Sequence, residues 1–131
     1  MRLLLDAVIL IGALDGSDAH HDRASERFVL ARERQDPLSI SLVNLTEVLT
    51  APAADASKLA AAREAIAALG IAIHQPSEAI AVDAARRLRG HHPISLPDAY
   101  LLATAKHTGS TIASFDRKVR DAAEREGLVT A

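Results

Sequence analysis

Four carboxylates stand out for where they fall: Asp6, Glu47, Asp98 and Asp116. Asp6 interrupts "LLLDAVILIGAL" (3–14), which is otherwise aliphatic apart from Gly12. An unpaired ionised carboxylate is costly to bury, so Asp6 needs a partner or a task. Asp116 directly follows the apolar "TIASF" (111–115), and Glu47 sits in "LTEVL", beside an apolar helix face. Asp98 shares a helical stripe with Leu101, Leu102 and Ala105 and heads its core-facing side. Gathered together, four carboxylates would repel and raise one another's pKa. A divalent cation removes that repulsion. Mg²⁺ or Mn²⁺ takes oxygen ligands, typically one or two direct carboxylates, and keeps several waters. Such an ion can generate hydroxide near neutral pH and stabilise charge on a phosphoryl group, and a pair can clamp attacking and leaving oxygens. That is phosphodiester hydrolysis without a protein nucleophile, and the chain has no cysteine to offer one.

The elements that must position these acids alternate between short apolar runs and helical patterns. Strands are predicted at 2–5, 38–41, 71–74 and 111–115, with a further short strand at "LVT" (128–130). Helices are predicted through 8–14, over 17–35 capped by Ser17 or Asp18, and over 42–50, 54–69, 77–89 and 97–108, with a last one from Asp116. Gly70, Gly90 and Gly109 supply stop signals, and Pro97 suits a first helical turn. This alternation implies an α/β domain, helices covering both faces of a mostly parallel sheet of four to five strands. In such sheets sites form beyond the carboxyl ends of the strands, where Asp6 and Asp116 fall.

The totals narrow the class. The 131 residues fit one domain, 1–131, with about half hydrophobic and a quarter charged, as in soluble globular proteins. Absence of cysteine excludes disulfides and zinc-thiolate sites and suits a reducing cytoplasm. Arg2 before an apolar stretch invites comparison with a signal peptide, but Asp6 in its centre argues against insertion. No stretch approaches the ~18 apolar residues of a membrane span, so a cytoplasmic protein with no membrane partner is expected. The net charge of −2 does not advertise a nucleic-acid binder. Bases do cluster locally, in "RRLRGHH" (86–92) and "DRKVR" (116–120).

The motifs "LLLDA", "LTEVL", "SLPDAYLLATA" and "ASFDRK" resemble the four acidic motifs of PIN-domain nucleases, in that family's order and spacing. The latter two are the most specific and look like those of VapC-type toxins; the likeness runs from Leu3 to about Gly127. It implies a PIN-like α/β/α sandwich and an Mg²⁺- or Mn²⁺-dependent endoribonuclease. It also implies a VapB-type antitoxin that occludes the site, and a homodimer. Carried over, Asp6, Glu47, Asp98 and Asp116 become the metal-binding, catalytic acids, and Ser114 matches a small polar supporting position. Val8 departs from the pattern: the family usually has Ser, Thr or Asn there, so a group that could touch metal-bound water is missing.

Blander readings exist for each feature. Ser95 and Asp98 form a Ser-x-x-Asp box that would cap a helix, and Asp116 could cap the last one. Glu47 alone would pass for a surface residue. His20 and His21 read as a solvated helix face, His91 and His92 as part of a Gly/Pro turn, and none of the histidines has zinc spacing. Arg86, Arg87 and Arg89 are a solvated face or a phosphate grip; Arg117 and Lys118, next to Asp116, are better placed to meet an RNA phosphate. A phosphorylatable receiver module would want an Asp after a middle strand, where "SLVN" and "IAIH" supply none. A phosphatase using an aspartyl-phosphate would want an acid at Val8. The remaining alternative is a catalytically impaired PIN-like scaffold that binds RNA or protein, favoured by Val8 alone.

Overall fold

All three side chains of Leu3–Leu5 (β1) are buried although neighbours in a strand point to opposite faces, so this strand is covered on both sides. The structure, a computed structural model, describes residues 1–131. β1 lies in an all-parallel sheet with Leu38–Ser41 (β2), Ile71–His74 (β3) and Thr111–Ala113 (β4), in the order β3-β2-β1-β4. Between them run helices Ala7–Leu14 (α1), His21–Arg34 (α2), Leu42–Thr50 (α3), Ala56–Ala68 (α4), Glu78–Leu88 (α5), Leu96–Thr108 (α6) and Arg117–Arg125 (α7). The expected α/β architecture is thus present, with four strands. The predicted strand at 128–130 reduces to one bridge, in which Val129 and Ala131 exchange backbone hydrogen bonds with Ile112 along the outer edge of β4.

Registry sets the layers. Leu5 and Ala113 are cross-strand partners and, with Ile40 and Ile71, pack against Ile9, Leu10, Leu45, Val48 and Ile66 of α1, α3 and α4. Leu4 and Ile112, one residue earlier, face the other way, onto Leu101, Leu102 and Ala105 of α6 and Val119 and Ala123 of α7. α5 packs outside α6 through Ile80 and Ala84. No helix is long and apolar enough to cross a membrane.

One helix starts later than its sequence suggests. Neither Ser17 nor Asp18 caps α2; Asp15 and Asp18 instead accept hydrogen bonds from the amides of Ser17 and His20, at 2.9 and 2.8 Å, and turn the chain. α2 therefore begins at His21 and folds back on α1. A Cβ at Gly12 would meet Ala24 Cβ and the His20 carbonyl at 3.3 Å, which accounts for glycine at that crossing.

Candidate active site

β1 and β4 are the first and last strands yet lie side by side. The chain leaves β1 toward β2 and β3 and returns on its other flank. That reversal opens a crevice beyond the carboxyl ends, the position where α/β sheets build sites. Asp6 and Ser114 leave β1 and β4 at this point, and the Asp6 amide extends the ladder to the Ala113 carbonyl at 2.9 Å.

Asp6 occupies the cap position of α1 but does not cap it. Its Oδ2 accepts a hydrogen bond from Ser114 Oγ at 2.6 Å, and Asp6 is only 4% exposed. Ser114 Oγ in turn accepts from the Asp116 amide at 3.0 Å, so one hydroxyl locks both strand ends together. The loop is fixed from behind by Arg120, whose Nη1 donates to the carbonyls of Ser114 and Ala131 at 3.2 and 2.8 Å. Asp116 does cap α7, accepting from the Lys118 amide at 2.9 Å. Asp98 lies in the first turn of α6, where its amide donates to Ser95 Oγ at 3.2 Å. Both blander readings therefore hold as local structure, and neither removes these carboxylates from the crevice.

Glu47 lies on the exposed flank of α3. Asn44, one helical turn earlier and fully buried, donates from Nδ2 to Glu47 Oε1 at 3.4 Å and to the Pro97 carbonyl at 3.2 Å. It thereby ties Glu47 to the turn that carries Asp98. Sequence reasoning passed over Asn44, although its i, i+3 spacing from Glu47 was the available signal. Val8, in the first turn of α1, offers no polar atom to the crevice.

The four carboxylates are close enough to feel one another. Burial pushes the Asp6 carboxyl up to about 6, against the pull of Ser114, with Asp98 and Glu47 adding to the rise. Glu47, although on an exposed flank, is raised by partial desolvation of its carboxyl and by Asp98, while Asn44 opposes. Asp98 is raised by burial and by Asp116, with Ser95 and Lys118 pulling the other way. Each acid is thus coupled to another by repulsion. No three acidic or histidine side chains are drawn tightly enough to enclose a cation by themselves. Beside them Asn44 Oδ1 is buried without a partner, an arrangement that costs energy when left unmet. An open set of oxygen donors of this kind fits a hard divalent cation that keeps most of its water.

The basic residues divide. Lys118 lines a cleft of about 920 Å³ together with Ser95, Asp98 and Asp116. Arg87 lines the same cleft but is held by Asp83, at 2.9 Å, and by Glu126. Arg117 pairs with Asp121 at 3.2 Å, and Arg86 is exposed on α5. The histidines do not form a solvated face throughout. His21 Nδ1 meets the Gly12 carbonyl at 2.8 Å and secures the α1–α2 crossing. His20 packs against Phe115 with the two rings tilted by 36°, and the Phe115 ring is also covered by the Arg23 guanidinium 4.2 Å from its centre.

A family model described as the PIN domain matches residues 3–125, which includes all four acids. The chain belongs to the PIN-domain family. The structure of VapC20 from Mycobacterium tuberculosis, described as a toxin cleaving the sarcin-ricin loop, resembles this PIN domain with a TM-score of 0.76 at 18% identity, covering 98% of this chain and 97% of that one. VapBC2 from Rickettsia felis, solved on a promoter DNA fragment, gives 0.76 at 15% identity over 100% and 98%. A toxin–antitoxin complex from Klebsiella pneumoniae gives 0.66 at 27% identity over 89% and 88%. No curated protein matches the chain by sequence.

Proposed function

We propose that this PIN domain, spanning the whole chain as one unit, is an endoribonuclease dependent on Mg²⁺ or Mn²⁺ and the toxin of a VapBC-type toxin–antitoxin pair. The observation that carries the reading is the coupled set of carboxylates at the β1–β4 crevice, centred on the buried Asp6–Ser114 bond. Asp6, Asp98 and Asp116 would hold the cation, with Glu47 completing the set from α3. When bound, the ion supplies the charge that activates a water and stabilises the phosphoryl group during hydrolysis. Ser114 fixes the orientation of Asp6, and Asn44 fixes that of Glu47. Lys118, beside Asp98, is placed to hold a phosphate oxygen of the RNA backbone, whereas Arg87 is already engaged by two carboxylates.

The partner is an antitoxin of the VapB type, by analogy with the complexes from Rickettsia felis and Klebsiella pneumoniae. Exposed apolar side chains such as Leu42, Ile73 and Leu96 provide surface for it and for a homodimer. An RNA substrate and an antitoxin both fit a cytoplasmic site of action. The test is incubation of the purified protein with mixed cellular RNA. Discrete fragments with Mg²⁺ or Mn²⁺ that disappear with EDTA support the assignment. Intact RNA under every metal condition, from protein free of antitoxin, refutes it.

A further inference from the structure

The cleft that holds Asp98 and Asp116 does not stop at the acids. It continues between the loop carrying His91 and His92 and the length of α7, as far as Arg125. Lys118 and Arg125 are seven residues apart on α7, two turns along one side, about 10 Å by helical rise. A separation of that size lets two cations meet different phosphates of one short single-stranded segment. Of the acids on the wall beyond Asp116, Asp121 is paired with Arg117 and Glu126 with Arg87. Neither Lys118, at the acid end of the cleft, nor Arg125, at the far end with His91 and His92, makes an ion pair.

We infer that this limb of the cleft is a subsite for single-stranded RNA lying to one side of the scissile bond. Lys118 meets the phosphate nearest the acids, and Arg125, flanked by His91 and His92, meets another further along the same strand. The inference rests on the ribonuclease reading and adds the path of the strand. A continuous polyanion accounts for the extended shape of the cleft and for an unpaired cation at each of its two ends.

The test is binding of a fluorescein-labelled single-stranded RNA of mixed sequence to Asp98→Asn protein in Mg²⁺, over a range of salt. Arg125→Gln in that background should weaken binding several-fold and lower the slope of log affinity against log salt by about 0.7, the value of one phosphate contact on a single strand. Arg125→Lys should restore the slope. Arg63→Gln, on α4 across the sheet, should change neither, and thermal melts confirm that each variant is folded. Unchanged affinity and slope in Arg125→Gln, while wild-type protein still cleaves RNA, overturn the subsite and leave the nuclease standing. Wild-type protein that neither binds nor cleaves RNA overturns both. Tighter binding of a poly-glutamate peptide than of RNA, lost in Arg125→Gln, overturns the RNA assignment in favour of an acidic peptide.

Discussion

Asp6→Asn isolates the electrostatic cost of the site. The Asp6 carboxyl has its pKa raised from 3.8 to about 6 in the folded chain, first by burial and then by Asp98 and Glu47 against the pull of Ser114. Between about pH 4 and pH 6 the folded chain therefore binds this proton more tightly than the unfolded chain does. Stability falls as pH rises through that window, and above it the full penalty is present. A difference of about two pH units corresponds to about 3 kcal/mol. Asparagine keeps the shape and an oxygen that can accept from Ser114 Oγ, but carries no charge. In EDTA, urea unfolding should show the variant and the wild type near equal at pH 4. The variant should be more stable by up to about 3 kcal/mol at pH 7.5. Saturating Mg²⁺ should close the gap by stabilising the wild type, by about 2.7 kcal/mol at a hundredfold excess over its Kd. A variant less stable than wild type at pH 7.5, or a difference independent of pH, would refute the reasoning.

Three further outcomes follow from particular contacts. Asp98→Asn should lower RNA cleavage by at least about 100-fold while urea unfolding in EDTA shows no loss of stability, because a ligand is lost without a void. Ser114→Ala removes the 2.6 Å bond to Asp6 and the acceptor of the Asp116 amide; it should cost about 1–3 kcal/mol and raise the Mg²⁺ concentration needed for half-maximal cleavage. Arg87→Ala should cost a similar ~1–3 kcal/mol by leaving Asp83 and Glu126 unpaired, yet leave the salt slope of RNA binding unchanged, since this guanidinium is not free to meet a phosphate.

The fold was legible because the signals were local. The buried apolar runs of β1 and β4, Pro97 and Gly109 around α6, and the four helix-flanked strands all announce themselves by type and period. Asp6 was legible for the opposite reason, as a charge that its surroundings could not explain. What sequence could not supply was pairing at a distance. Arg87 read either as part of a solvated face or as a phosphate grip; Asp83, one turn earlier, was a local partner, but Glu126 lies 39 residues away, and the fold alone brings α5 to the end of α7. Asn44 looked like an ordinary helix residue until Pro97, 53 residues later, was seen to share its amide. The late start of α2 had a local cause, but capping by Asp18 and a turn by Asp18 compete for the same side chain, and the crossing at Gly12 decides between them. The loop histidines and Arg125 acquire meaning only once the cleft is seen.

The central claim is that the carboxylates converge to hold a divalent cation. Binding of Mn²⁺ measured by loss of its free-ion paramagnetic resonance signal tests it without reference to any substrate. Wild-type protein should take up one or two ions per chain, and Asp6→Asn and Asp98→Asn should each weaken that uptake strongly while remaining folded. Wild-type protein that leaves the Mn²⁺ signal unchanged, or variants that bind as well as wild type, would contradict the account.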